Sequence, residues 1–277
     1  MPELPEVEIA ARNLRRWATG RTVERVEVDP GARRIFRPAR PSAFAAGLGG
    51  ARVTGVGRRG KHLLVTLDAP RGPLGLHSHL GMAGKWLRRE RAGDEPPRHS
   101  RVRLVLDGGE VLHYVDPRLF GRLRLVPGAR FDAIPEIRAL GPDPLHDGID
   151  PSRLAAGLAR TRRPVKVALL DQRILPGVGN IHASEALFLA RIDPRRRADR
   201  LAAPQVRAIA RGVLRSFRRT IREEDGPEIT YVEEPGAENP FRVYGREGER
   251  CPRCRAARIR RAVQAQRSTY WCPRCQS

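Results

Sequence analysis

Lysine is almost absent from this chain of 277 residues: Lys61, Lys85 and Lys166 stand among 53 basic residues, and the rest are arginine. Genome composition accounts for such a bias. It still singles out each remaining lysine, because an ammonium is a compact point charge that a guanidinium does not imitate. No run of about 18 apolar residues occurs, which excludes a membrane-spanning helix. No secretory leader is expected either: MPELPEVEIAAR carries acids where a leader carries cations, and no apolar stretch follows. A cytoplasmic protein is expected. Acidic residues are scarce, 31 against 53, so the net charge is +22 and the pI about 11.4. That excess points to a polyanionic partner, DNA or RNA ahead of an anionic membrane; a generally basic surface is the alternative. With 40% hydrophobic residues the chain can bury a real core, which excludes wholesale disorder. The length fits one large domain or two ordinary ones.

Cysteine is confined to the last 27 residues, as Cys251, Cys254, Cys272 and Cys275, in the pattern C-x2-C-x17-C-x2-C. Disulfides are disfavoured without a secretory signal. Two residues between thiolates let one tight knuckle present both sulfurs to one ion, and two knuckles on a hairpin complete a tetrahedron. One structural zinc ion is expected, with a redox pair or free thiols as alternatives. Four thiolates fill the coordination sphere, so such a zinc is not catalytic.

Val7, Ala10, Ala11, Leu14 and Trp17 fall at helical spacing, with Pro5 suited to a first turn and Gly20 to a stop. Strands then dominate. His62–Leu67 is an apolar run, 102–106 and 111–115 flank the turn residues Asp107-Gly108-Gly109, and 122–125 alternates. A Pro/Gly cluster from Pro135 to Pro151 reads as a linker. Over 204–222, Val206, Ile209, Ala210, Val213, Leu214, Phe217 and Ile221 form an apolar stripe, with arginines elsewhere around the helix. A polar stretch, 223–240, separates that helix from the cysteines. The expected domains are 1–130, a helix plus β-sandwich or barrel; 131–151, the linker; 152–240, helical; and 241–277, the four-cysteine module. The class is α+β.

The segment Pro2-Glu3-Leu4-Pro5-Glu6 carries the most chemistry. Methionine is generally removed before proline, which leaves Pro2 as a free secondary amine. An amine can attack a sugar carbon and form an iminium. The α-amino group titrates near 7.7–8.0, well below a lysine, so more of it is nucleophilic at neutral pH. A neighbouring carboxyl can donate and accept protons. The plainer alternative is that these residues merely lead into a helix.

Four motifs together resemble the bacterial formamidopyrimidine-DNA glycosylase and endonuclease VIII family: PELPE at the start, Gly60-Lys61 heading an apolar strand, LPGVGNIHASE from Leu175 to Glu185, and the terminal cysteines. The resemblance spans the chain, and PELPE looks like the formamidopyrimidine branch. It implies a β-sandwich catalytic domain, a helix–two-turn–helix domain and a zinc-finger β-hairpin. It also implies a base-excision-repair enzyme that removes oxidised purines (8-oxoguanine, formamidopyrimidines) from duplex DNA. Such enzymes cleave the abasic site by β,δ-elimination through a Schiff base.

By the same resemblance, Pro2 is the nucleophile, Glu3 protonates the sugar ring oxygen, and Lys61 and Arg267 hold phosphates beside the lesion. Asn180 and Lys166 belong to the DNA-binding set, though a solvated helix charge is the alternative for Lys166. Met82, Arg118 and Phe120 fill the gap left by a flipped-out base. The glycine-bounded start of the helix at Asn180 reads as a phosphate site. His77 and His79 share a strand face, but without an acidic partner nearby they make a poor metal site. The stretch 223–240 lies where the family caps the flipped base. It is acidic here, which leaves an oxidised-pyrimidine preference, as in endonuclease VIII, as one alternative and a non-catalytic damage binder as another. Damaged double-stranded DNA is the expected partner, with no membrane, and a monomer attached to the bacterial nucleoid is expected.

Overall fold

The computed structural model describes residues 2–90 and 93–277. The chain forms two compact units. One holds Pro2, Glu6–Arg138 and Glu224–Glu234; the other holds Glu3–Pro5, Ala139–Glu223 and Pro235–Ser277. Among the described residues no helix is long and apolar enough to cross a membrane.

Helix α1 (Leu4–Ala18) forms where the apolar spacing predicts it, and Val7, Ala10, Ala11, Leu14 and Trp17 are all buried. Pro5 falls in its first turn, where a missing N–H costs nothing. The first unit continues with β1 (Val23–Val28), α2 (Pro41–Leu48), β2 (Arg52–Arg59), β3 (His62–Ala69), β4 (Gly72–His79), β5 (Lys85–Arg89), β6 (Ser100–Leu106), β7 (Val111–Val115) and β8 (Arg122–Pro127). The strands make two four-stranded antiparallel sheets, ordered β1-β6-β7-β5 and β2-β3-β4-β8. Alternation sends Leu63, Val65 and Leu67 inward from one sheet and Val102, Leu104 and Leu106 from the other, into one core shared with α1. Burial of each such side chain is worth about 1.5–3 kcal/mol. This is the expected sandwich. The β6–β7 hairpin turns on Gly108 and Gly109, both at φ +87°, the region that mirror-image hairpin turns require.

The short helix α3 (Pro135–Arg138) follows β8, and Ile137 packs with Ile134 and Val126. Residues 224–234 are no mere spacer. Ile229 and Tyr231 are buried in the sandwich core. Asn13 Nδ2 donates to the carbonyl of Gly226 (2.8 Å), Tyr231 Oη to that of Gly84 (2.6 Å), and Lys85 Nζ to the Glu234 carboxylate (3.2 Å). The polar composition conceals two apolar anchors.

The second unit contains α4 (Pro151–Ala159), α5 (Val165–Ala168), α6 (Asn180–Ala190), α7 (Ala203–Glu223) and the hairpin β9 (Arg260–Gln264) with β10 (Arg267–Trp271). Asp150 caps α4 by accepting from Ser152 N (2.9 Å). The α7 stripe is core, except that Leu214 is only half-buried. Helix α6 is buried from Asn180 through Phe188, on every face. Gly212 lets α7 approach it closely: a Cβ there would lie 2.6 Å from the carbonyl oxygen of Ala186.

Candidate active site

Glu3 is fully buried, and its carboxylate accepts from the main-chain N–H groups of Gly179 (2.7 Å), Ile181 (2.8 Å) and His182 (3.2 Å). Gly179 directly precedes α6 and Ile181 and His182 lie in its first turn, where amides have no partner inside the helix and sit at the positive end of its dipole. Gly179 is required for the approach, since a Cβ would fall 2.4 Å from Glu3 Cδ. The glycine-bounded helix start is therefore an anion site, as its sequence indicates, but the anion is the chain's own carboxylate. That corrects the reading of these amides as a phosphate site. Gln172 holds the loop from the other side: its Oε1 accepts from Gly177 N (2.8 Å), and its Nε2 donates to Val178 O (2.9 Å). No sequence motif marks Gln172.

Asn180 follows Gly179 directly. Its Oδ1 accepts from Lys166 Nζ, and its Nδ2 donates to Ser268 O (3.0 Å). Lys166 Nζ also donates to Ser268 O (3.2 Å). The Lys166 side chain is fully buried, so it is not a solvated helix charge. Burial first, and then Arg267, push its ammonium down to about 8, while Glu3 opposes them. Arg267 itself is exposed, and it starts β10 just after the two-residue turn of Ala265 and Gln266, at φ +46° and +59°. The hairpin tip is where its spacing from Cys272 places it. Glu3, Lys166, Asn180 and Arg267 thus form one connected group.

The four cysteine sulfurs lie within 4.8 Å of one another. Cys251 Sγ is 3.9 Å from Cys275 Sγ, and Cys254 Sγ is 3.8 Å from Cys272 Sγ. A tetrahedron with 2.3 Å zinc–sulfur bonds has edges of about 3.8 Å, whereas a disulfide needs about 2.05 Å. The donor set fits zinc. Glu185 anchors the lead-in to this module. It is buried on α6 and accepts from the N–H groups of Arg242 (3.0 Å), Val243 (2.8 Å) and Tyr244 (3.1 Å).

In the first unit, Gly60 (φ +56°) and half-buried Lys61 form the two-residue turn between β2 and β3. Met82, Arg118 and Phe120 are exposed. Among the described residues the exposed large apolar side chains are Met82 (36%), Phe120 (41%) and Val263 (63%). Two of the three stand on neighbouring loops. Gly81 packs so tightly on the Phe120 backbone that a Cβ would lie 2.5 Å from its carbonyl. The Phe120 loop is itself set by the buried Asp116 carboxylate, which accepts from the N–H groups of Arg118 (3.1 Å), Leu119 (3.0 Å) and Gly121 (2.8 Å). The Arg118 guanidinium lies 5.1 Å from the Phe120 ring centre. Residues aligned by such loops can present an apolar wedge to solvent.

His62 joins His77 and His79 beside this group. His62 Nδ1 is 2.8 Å from His77 Nε2, and the His62 and His79 ring centres are 5.0 Å apart. Burial first, and then neighbouring positive groups, push the three imidazoles down to about 2, 3 and 4 for His62, His77 and His79. They are neutral at physiological pH. Among the described residues the cysteines, and not these histidines, have a metal-holding arrangement. His79 Nδ1 accepts from Gly81 N (3.1 Å) and so helps set the Met82 loop. Pro2, buried, immediately precedes Glu3.

Chelation of the zinc should unfold mainly the last ~30 residues, because small metal modules fold on binding. Elemental analysis should find one zinc per chain, and limited proteolysis after chelation should cut first within 241–277. Metal-free protein with an unchanged proteolytic pattern would contradict this assignment.

Three comparisons bear on the whole chain. The formamidopyrimidine-DNA glycosylase N-terminal domain matches residues 1–123, the H2TH domain of the same enzymes matches 140–230, and a zinc finger found in FPG and IleRS matches 248–277. The chain is 43% identical to the formamidopyrimidine-DNA glycosylase of Paracoccus denitrificans over the full length of both. It is 39% identical to that of Chloroflexus aurantiacus, covering 100% of this chain and 98% of the relative. The crystal structure of the Thermus thermophilus MutM (Fpg) protein superposes with a TM-score of 0.81 at 39% identity, covering 99% and 98% of the two chains. Lactococcus lactis Fpg bound to DNA containing an abasic site superposes with a TM-score of 0.85 at 26% identity, covering 99% of each. The chain belongs to the formamidopyrimidine-DNA glycosylase family.

Proposed function

We propose that this chain is a bifunctional DNA glycosylase and abasic-site lyase of base-excision repair, acting on oxidised purines in duplex DNA. The observation that carries this reading is the Glu3 carboxylate, joined to Pro2 by one peptide bond and held by the amides that begin α6. Once Met1 is removed, the Pro2 nitrogen has a free lone pair. Its attack forms a bond to the deoxyribose anomeric carbon, and the base departs with the glycosidic electron pair. The Glu3 carboxylate takes the proton that leaves the Pro2 nitrogen and passes it to the ring oxygen, which opens the sugar and leaves an iminium. Loss of a proton from the adjacent carbon then expels the 3′ phosphate, and a second elimination expels the 5′ phosphate.

Lys61 and Arg267 hold phosphates, with the fork of Arg267 carried on the zinc-stapled hairpin. Asn180 binds the DNA backbone through its side chain. Lys166 is a positioning residue, since its buried ammonium orients Asn180 and the Ser268 carbonyl beside Arg267. Met82, Arg118 and Phe120 fill the gap left by the flipped base. The protein works as a monomer on chromosomal DNA in the bacterial cytoplasm. A second reading, oxidised pyrimidines, is favoured by one observation: the Lactococcus lactis relative, 27% identical, was crystallised with DNA containing an oxidised pyrimidine.

The reading is tested with wild type and Glu3→Gln on duplexes carrying 8-oxoguanine, a formamidopyrimidine, an oxidised pyrimidine or an abasic site. Glutamine has one acceptor oxygen for three amides, so the abasic duplex controls for lost positioning. Glu3→Gln should lose base excision by at least about a hundredfold, within the range that one acid–base group contributes, and keep measurable abasic cleavage. Base excision at the wild-type rate would remove the acid role, and a wild-type preference for the pyrimidine would install the second reading.

The Lys166 ammonium is charged below about 8 and loses its proton above it. Affinity for an abasic-analogue duplex should therefore fall between pH 7 and 9 with a midpoint near 8. Lys166→Met should bind weakly throughout and lack the step. A wild-type affinity that is flat across this range would contradict the positioning role.

A further inference from the structure

Helix α7 carries a basic face that none of these roles uses. Arg207, Arg211, Arg215, Arg218 and Arg222 are all exposed. At about 100° per residue they fall within an arc of roughly 80°, spread over about 22 Å of helix. Neighbours along the row are three or four residues apart, the spacing at which like charges repel and destabilise a helix. Such a row is stabilised by an anion laid along it. Four of these arginines, with Arg191 and Arg242, line an open groove of about 720 Å³ over α6 and α7.

The acids of the groove are already engaged. Glu185 accepts three main-chain hydrogen bonds, and Glu223 pairs with Arg219 at 2.8 Å. The groove runs from Glu185 in the middle of α6 past Leu189 and Ala190 at its C-terminal end, whereas Asn180 begins the same helix. Asn180, Lys166 and Arg267 do not line the groove, and its nearest link to their group is Ser216, whose Oγ lies 2.7 Å from His182 Nδ1.

The lining chemistry selects the occupant. A protein partner is anchored by aromatic or aliphatic side chains entering pockets, and single-stranded nucleic acid by aromatic platforms for its bases. The groove has no aromatic platform, and its larger aliphatic lining is two half-buried leucines, Leu189 and Leu214; none of the exposed large apolar residues, Met82, Phe120 and Val263, belongs to it. Guanidinium forks outnumber these leucines in the lining, and a row of them fits a duplex backbone, which presents one negative charge per ~1.7 Å of axis. We propose that the α7 groove binds the phosphates of a second, undamaged duplex while damaged DNA is held at the Asn180 end. The protein then bridges two DNA segments and can pass from one to the other without a free intermediate.

The test uses full-length zinc-loaded protein saturated with a donor-labelled 15-base-pair abasic-analogue duplex. An acceptor-labelled undamaged duplex is titrated in at 50 mM salt. Wild type should form a ternary complex, seen by energy transfer and by sedimentation. The triple variant Arg211→Gln, Arg215→Gln, Arg218→Gln keeps good helix formers. It should bind the second duplex at least tenfold more weakly, with a log–log salt slope shallower by about 2–3. Its affinity for the first duplex should stay within twofold. A charge-matched variant at exposed Arg33, Arg37 and Arg40 should bind both duplexes as wild type does.

Absence of a ternary complex would overturn the proposal. So would equal weakening of both duplexes by the α7 variant, which would make the groove part of the damaged-DNA footprint. Equal weakening of the second duplex by the charge-matched variant would reduce the effect to net charge. A poly-glutamate peptide that displaces the second duplex at lower concentration than unlabelled duplex does would make the partner an acidic protein. None of these readouts depends on which base is excised.

Discussion

The buried Glu3 carboxylate is the constraint on which the arrangement around the start of α6 depends. An anion taken wholly out of water must be matched by donors, and the three amides at the start of α6 match it. The converse also holds. Without Glu3 those buried N–H groups would lose their partner, at a cost of about 1–3 kcal/mol each. Leu4 reinforces the tie by donating its N–H to Gly177 O (3.1 Å), and Gly177 makes room for the Leu4 side chain, which a Cβ there would meet at 2.4 Å. The start of the chain is thereby fixed to within one peptide unit, and Pro2 with it. An amine used as a nucleophile needs this, because attack requires the reacting atoms to be held about 3–3.5 Å apart in line.

Helix α6 extends the same logic to its other functions. Its first residue, Asn180, meets Lys166 and the β-hairpin carbonyl of Ser268, and its Glu185 caps the backbone of Arg242 through Tyr244. A helix whose polar residues are all buried and all hydrogen-bonded is a frame. It sets the N-terminus, the zinc module and the Arg267 tip relative to one another. Such a buried hydrogen-bond network rigidifies what it joins.

Much of this was legible in the sequence, because periodicity and turn chemistry are local. The α1 and α7 stripes, the Gly108-Gly109 hairpin, the apolar strand headed by Gly60-Lys61 and the cysteine spacing each encode geometry within a few residues. What could not be read depended on contacts between distant residues. Nothing in a window around Ile229 and Tyr231 shows that they enter the sandwich core rather than a polar spacer. Lys166 looks like any solvated helix charge until Asn180 and Ser268 are brought to it. The anion at the α6 start was readable as an anion site, but not as Glu3, which lies 176 residues away. Gln172, Glu185 and the third histidine, His62, are ordinary residue types with no spacing to mark them.

The central claim is that the N-terminal proline amine does the chemistry. The chain makes a direct test possible, because besides its N-terminus it has only three amines, on Lys61, Lys85 and Lys166. Borohydride reduction during turnover on an abasic duplex, followed by proteolysis and mass mapping, should place the DNA adduct on the peptide beginning at Pro2. Protein that retains Met1 should give no adduct. An adduct on any of the lysines, or equal trapping by the Met1-retaining form, would contradict the account.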